Sequence, residues 1–182
     1  MNKTFFTIAI VGILLLARAQ AGELQVGFAQ LSITPDIIDQ WVDVNDDAQF
    51  DPDIDLWTDV NGNGKFDAVW MAGFQNQRPA QGVKDNLMAV AVVIDDGKNR
   101  IGIVSADTVG LMRKFVLGVR EAVPVEWGLD YLMVHATHNH EGPDTQGLWG
   151  PSFLSSGVDP DYMEQLQQNI LDALSQAIDN LE

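Results

Sequence analysis

The chain has 182 residues, with 26 acidic and 10 basic side chains for a formal charge of −16, and no cysteine. So acidic a surface excludes nucleic acid as a partner, because phosphate recognition needs a basic patch. Without cysteine there is no disulfide framework, so stability must come from an apolar core, from bound metal, or from both.

Residues 1–21 read as an export signal. Lys3 supplies the positive start, residues 5–16 an apolar stretch, and Ala19-Gln20-Ala21 a small-x-small cleavage site. The apolar run is too short to read as a membrane span. The expected mature chain starts at Gly22 and is secreted or periplasmic. Its 26 acids then face 8 bases, a charge of −18. Residues 22–182 fit one domain, read as part of a larger one.

A strand is expected over residues 24–33, ended by Thr34-Pro35. An acidic, turn-rich insert follows at 41–67. Residues 87–94 and 100–106 are apolar and flank Asp95-Asp96-Gly97-Lys98, a hairpin signal. A helix is expected over 111–122, stopped by Pro124. An apolar strand over 131–136 leads into the histidines. Asp159-Pro160 then starts a helix, since Asp caps and Pro suits the first turn. Met163, Leu166, Ile170, Leu174, Ile178 and Leu181 recur at three- and four-residue steps along it. The pattern predicts a mixed α/β domain, an α+β sheet with flanking helices, whose strand order the sequence leaves open.

All three histidines lie within His135-Ala-Thr-His138-Asn-His140, just before Glu141-Gly142-Pro143-Asp144. Imidazole is the commonest neutral metal ligand and the side chain that titrates nearest neutral pH. If the strand runs on, His138 and His140 share one face and His135 takes the other. A catalytic zinc needs three protein ligands, and one strand offers two at most. Asp107, Glu141 and Asp144 are the acids that could join them. Asp107 ends an apolar strand, where sites are commonly assembled, although a turn-forming role fits it equally well. His140 is a candidate proton-transfer or oxyanion-stabilising group. There is no Gly-x-Ser-x-Gly and no cysteine to support a covalent nucleophile. Trp70, Trp149 and Phe153 are candidate walls of an apolar ligand cleft.

The acidic insert repeats itself. Residues 41–51 and 57–67 match at six of eleven positions: the Trp, Asp, Val, Asn, Phe and Asp of each copy. Asp43, Asn45, Asp47 and Asp51 in the first copy, and Asp59, Asn61, Asn63 and Asp67 in the second, occupy positions one, three, five and nine of a calcium loop. Gly64 sits at position six of the second copy and Ala48 at that of the first. Position twelve holds Ile54 and Trp70 rather than glutamate, so the loops look more like the short loops of dockerin and thrombospondin-type repeats, with Asp53 or Asp55 as a further ligand. Calcium is expected to be structural, fixing a loop with few apolar residues of its own. An alternative is a solvated acidic loop, because Asp and Asn favour turns without metal.

Residues 137–143, Thr-His-Asn-His-Glu-Gly-Pro, resemble the Thr-His-Thr-His-Ser-Gly-Pro segment of the neutral/alkaline (non-lysosomal) ceramidase family. Val26-Gly27, Ile33-Thr34-Pro35, Met71-Ala72-Gly73-Phe74 and the hairpin ending in Ser105-Ala106-Asp107 resemble further family segments in the same order, over residues 24–150. The resemblance implies a zinc-dependent amide hydrolase acting on N-acylsphingosine or a related lipid amide or ester through metal-activated water, with contact at a membrane surface. It implies His138 as zinc ligand and His140 as the neighbouring catalytic group. The family takes its remaining His, Glu and Tyr from later in its chain, so this chain resembles the N-terminal portion alone. Glu141 and Asp144 depart from the family pattern and add negative charge, which leaves general amide or ester hydrolysis open. A secreted, calcium-stabilised binding module without catalysis is the alternative.

Overall fold

The computed structural model describes residues 22–182; the export-signal reading of residues 1–21 lies outside them. Four strands form one sheet: β1 (Gln25–Ser32), β4 (Met88–Asp95), β5 (Arg100–Ala106) and β6 (Tyr131–Ala136), in the order β1-β4-β5-β6. β1 and β5 both run antiparallel to β4, whereas β6 runs parallel to β5. A parallel neighbour needs a crossover, which α1 (Arg113–Ala122) provides. α2 (Pro160–Asp179) follows β6. The mixed α/β architecture is therefore as expected, and strand and helix bounds differ from the sequence reading by two residues at most.

The core lies between the helices and one face of the sheet. Ala29, Ala89, Ala91, Val93, Val104, Ala106, Leu132 and Val134 point inward and meet Leu166, Ile170, Ala173, Leu174 and Ala177 of α2 and Val119 of α1. Small strand residues let α2 lie close: a methyl group on Gly27 would overlap the Ala177 carbonyl. α2 begins where expected, with the Asp159 carboxylate accepting from the Asp161 and Tyr162 backbone N–H groups. That satisfies donors left open at a helix start. The buried Tyr162 hydroxyl donates to the Ile33 carbonyl at 3.0 Å.

The strand side chains on the other face of the sheet include no Asp, Glu, Lys or Arg in the three rows that follow, and Arg120 of α1 stacks over Tyr131 at its edge. Its rows across the strands are Val26-Ile94-Ile101-Tyr131, Phe28-Val92-Ile103-Met133 and Gln30-Val90-Ser105-His135. Val26, Phe28, Ile101, Tyr131 and Met133 are exposed on it. No described helix is long and apolar enough to cross a membrane.

The acidic insert is more ordered than its sequence implies. β2 (Gln40–Val42) and β3 (Leu56–Thr58), absent from the sequence reading, pair antiparallel with Trp41 opposite Trp57. Trp41, Phe50, Phe66, Trp57 and Trp70 form an aromatic chain with centroid separations of 4.2 to 6.3 Å. The insert thus has an apolar centre of its own, which corrects the expectation that it has few such residues. The two copies also cross-brace. Buried Asp55 accepts from Val44 and Asp51 N–H of the first loop, and buried Asp39 accepts from Val60 and Asp67 N–H of the second. Asp55 thus ties the first loop together through backbone donors.

Candidate metal and catalytic site

β5 and β6 end side by side, and the chain past each end builds the site. The strand ends at Ala136, and although the Thr137 and Asn139 N–H groups still donate to the Ala106 and Thr108 carbonyls, the pleat that was to put His138 and His140 on one face is broken between them. His138 instead takes a left-handed backbone, φ +65°. For a non-glycine residue this costs roughly 1–2 kcal/mol. The imidazoles nevertheless meet: Nε2 of His138 lies 3.2 Å from Nε2 of His140, with the rings edge-on at 79°. His135 stays on the strand, on the open sheet face, apart from the pair.

The tautomer of His138 follows from its partner. Its Nδ1 lies 2.7 Å from the Val109 carbonyl, which can only accept. Nδ1 therefore carries the proton and, in the neutral ring, Nε2 presents its lone pair. In metal sites the same outer bond orients a ligating imidazole. Two nitrogens on one tetrahedral zinc, each at 2.0–2.1 Å, stand about 3.3 Å apart. The observed 3.2 Å suits a shared cation, or a hydrogen bond in which His140 Nε2–H donates to His138. Among the described residues no group of three or more His, Asp or Glu side chains converges for a metal. The chain brings two imidazoles, and a closed zinc site needs further ligands.

His140 is held from the side by the 71–78 loop. Gly73, at φ +79°, packs against the ring, and a methyl group there would overlap Nδ1, Cγ and Cβ of His140. Phe74 meets the ring edge-on at 5.5 Å. Arg78 donates from Nη2 to the carbonyls of Ala72 (2.7 Å) and His140 (2.8 Å), and from Nη1 to Glu141 (3.3 Å). Neither Gly73 nor Arg78 was singled out for this role from sequence. Both approach from across the fold, and Arg78 acts on main-chain oxygens that leave no side-chain signature.

The remaining acids do other work. Asp144 is fully buried and its carboxylate accepts from the backbone N–H groups of Gln146, Gly147, Trp149 and Gly157. It organises the 144–157 loop. Glu141 is exposed and paired with Arg78. Asp107 Oδ2 accepts from Met88 N–H at 3.0 Å, tying the end of β5 to the start of β4. A cavity of about 730 Å³ lies beside it, lined by Thr34, Leu87, Asp107, Thr137, Asn139 and Glu141 among others. Neither imidazole lines that cavity, nor do Trp70, Trp149 or Phe153. Phe153 lies at the surface.

In the acidic loops the two copies share backbone shape. Asp46 and Ala48 of the first, and Gly62 and Gly64 of the second, are all left-handed. Asp43 accepts from Asp47 and Ala48 N–H, and Asp59 from Gly62, Asn63 and Gly64 N–H. The amides of Asn61 and Asn63 both donate to Asp67, and that of Asn45 donates to Asp47.

No family model and no curated protein matches the chain. Among solved structures, the chain is similar to one described as ceramidase complexed with C2, with 18% identity and a TM-score of 0.60. The match covers 87% of this chain and 22% of that one. The neutral ceramidase from Pseudomonas aeruginosa gives 16% identity, the same TM-score and the same coverage. The chain thus has the fold of a part of these proteins, and spans about a fifth of their length.

Proposed function

We propose that this chain is the N-terminal part of an exported, zinc-dependent amide hydrolase of the ceramidase type. The observation that carries the proposal is the imidazole pair. His138 is fixed by Val109 so that its Nε2 lone pair faces His140 Nε2 at 3.2 Å. Similarity of fold to two ceramidases supports the same reading. His138 would hold the zinc and His140 would stand beside it, as second ligand or proton carrier; further ligands come from outside these residues. Zinc, when bound, brings water within reach of deprotonation near neutral pH and polarises a carbonyl. Val109 keeps the His138 proton on Nδ1. Asp107 and Asn139 place polar groups at the neighbouring cavity, where an amide substrate could be oriented. The substrate class is a lipid amide such as an N-acylsphingosine, or a related amide or ester, met at a membrane surface.

Hydrolysis of an N-acylsphingosine by the whole protein, with and without a chelator, tests the proposal. Activity that disappears with zinc removal, returns with zinc, and is absent from His138→Ala supports it. Activity indifferent to both overturns it.

A second reading is favoured by the acidic repeat: a secreted, calcium-stabilised binding module without catalysis. In either reading calcium would sit on Asp43, Asn45, Asp47 and Asp51, and on Asp59, Asn61, Asn63 and Asp67. The matched left-handed residues of the two loops support a shared role. Zinc-independent ligand binding with no hydrolysis would favour the second reading.

A further inference from the structure

We propose that Arg78 is a positioning residue that holds the His140 imidazole against His138. The inference rests on the metal-site reading of the histidine pair. Four contacts converge on this role. The guanidinium bridges two carbonyls, Ala72 at 2.7 Å and His140 at 2.8 Å, so it staples the 71–74 turn to the backbone of His140 itself. Its carbon lies 5.0 Å from the centroid of Phe74, whose ring in turn meets His140. Nη1 reaches Glu141, the next residue of the histidine segment. Gly73, between the two ends of the staple, presses its bare α-carbon on the His140 ring, where any side chain would collide.

The planar fork explains why this residue is arginine. One nitrogen serves two carbonyls while the other meets a carboxylate, and the flat face covers Phe74. A lysine ammonium offers a point charge without that fork or face. The Arg78 side chain is 14% exposed, against 63% for Glu141. The carbonyl bonds are therefore the shielded part of the arrangement, and the Glu141 pair is a partly solvated addition. Arg78 touches neither imidazole ring in this set of contacts. It acts through the His140 main chain, Phe74 and Gly73.

Cobalt(II) titration of the whole protein, followed by its visible d–d absorption, tests the proposal in wild type, Arg78→Met, Arg78→Lys and Gly73→Ala. Amide NMR spectra report whether each variant keeps the fold. Loss of an outer partner of a metal site weakens binding by about 10- to 100-fold. We expect that loss for Arg78→Met, a smaller one for Arg78→Lys, and a displaced His140 ring in Gly73→Ala with Arg78 intact. Folded Arg78→Met binding cobalt as wild type does, with the same spectrum, overturns the positioning role. If Arg78→Met unfolds, Arg78→Lys decides between the same two outcomes. Absence of cobalt binding in wild type sinks the metal-site reading instead. The nuclear Overhauser contact between His140 and Phe74, present in wild type and lost in folded Arg78→Met, then tests the clamp separately.

Discussion

His138 shows how one residue departs from the rule of its segment. The alternation of a strand would have been enough to pair it with His140, but the backbone turns left-handed there and the pairing comes from the turn instead. Local strain of this sort is concentrated at functional sites. Ala48 carries a similar strain with no side-chain purpose, since Gly64 holds the matching place in the other copy. Ala48→Gly should therefore stabilise the domain by about 1 kcal/mol, read as a raised denaturation midpoint; a lower midpoint would show that Ala48 makes contacts worth more than its strain. Tyr162 makes the opposite case. Burial drives its phenol ionisation well above the ordinary range, so the hydroxyl stays a donor to Ile33 throughout the working pH range. Tyr162→Phe leaves a buried carbonyl unpaired and should cost about 1–2 kcal/mol. An unchanged unfolding free energy would mean that water replaces the phenol.

Elements announced by local signals were legible in the sequence. The Asp159-Pro160 start of α2 needs only neighbouring residues, and so does the Asp95-Asp96-Gly97 turn between β4 and β5. In that turn, the Gly97 N–H and Arg100 hold Asp95 below the usual carboxylate range, and the Asn99 and Lys98 N–H groups do the same for Asp96. Depressed carboxylates stabilise the fold above their unfolded value of 3.8, and the contribution is lost as pH falls through their lower folded values. β2 and β3 were not legible. Each is three residues long within an acidic stretch, and their pairing depends on one repeat meeting the other. The same long-range logic hid the crossed bracing by Asp39 and Asp55. The proposed calcium belongs to this element. At a hundred times its dissociation constant, a ligand binding only the folded state adds about 2.7 kcal/mol. Millimolar calcium should then raise the thermal midpoint by several degrees in wild type and much less in Asp59→Ala combined with Asp43→Ala. Equal midpoints with calcium and with chelator would assign the loops to hydrogen bonding alone.

At the scale of the molecule, helices cover one face of the sheet, and among the described residues the other face keeps exposed apolar side chains. The covered face meets α2 at Leu166, Ile170 and Leu174, where truncation of Ile170 to Ala should cost about 2–5 kcal/mol. That face carries two rows of largely apolar side chains, with Arg120 over the Tyr131 ring at its β6 edge, in a chain of −16. Contiguous apolar surface of this kind marks an interaction site or a route to aggregation. The chain should bind an environment-sensitive apolar dye, and Phe28→Gln with Ile103→Thr should lower that signal several-fold while the fold persists. A dye-silent wild type would contradict an open apolar face. The matched part is 22% of each of the two solved ceramidases of like fold. The histidine cluster was legible because the residues are contiguous. The clamp by Arg78 was not, because it joins the site from 62 positions away through main-chain oxygens.

The most direct test of the whole account is a zinc titration of the purified whole protein, by calorimetry at neutral pH, beside His138→Ala and His140→Ala. The account predicts one zinc per chain in wild type, no measurable binding in His138→Ala, and weakened binding in His140→Ala. Zinc binding that survives His138→Ala, or none in folded wild type, would contradict it.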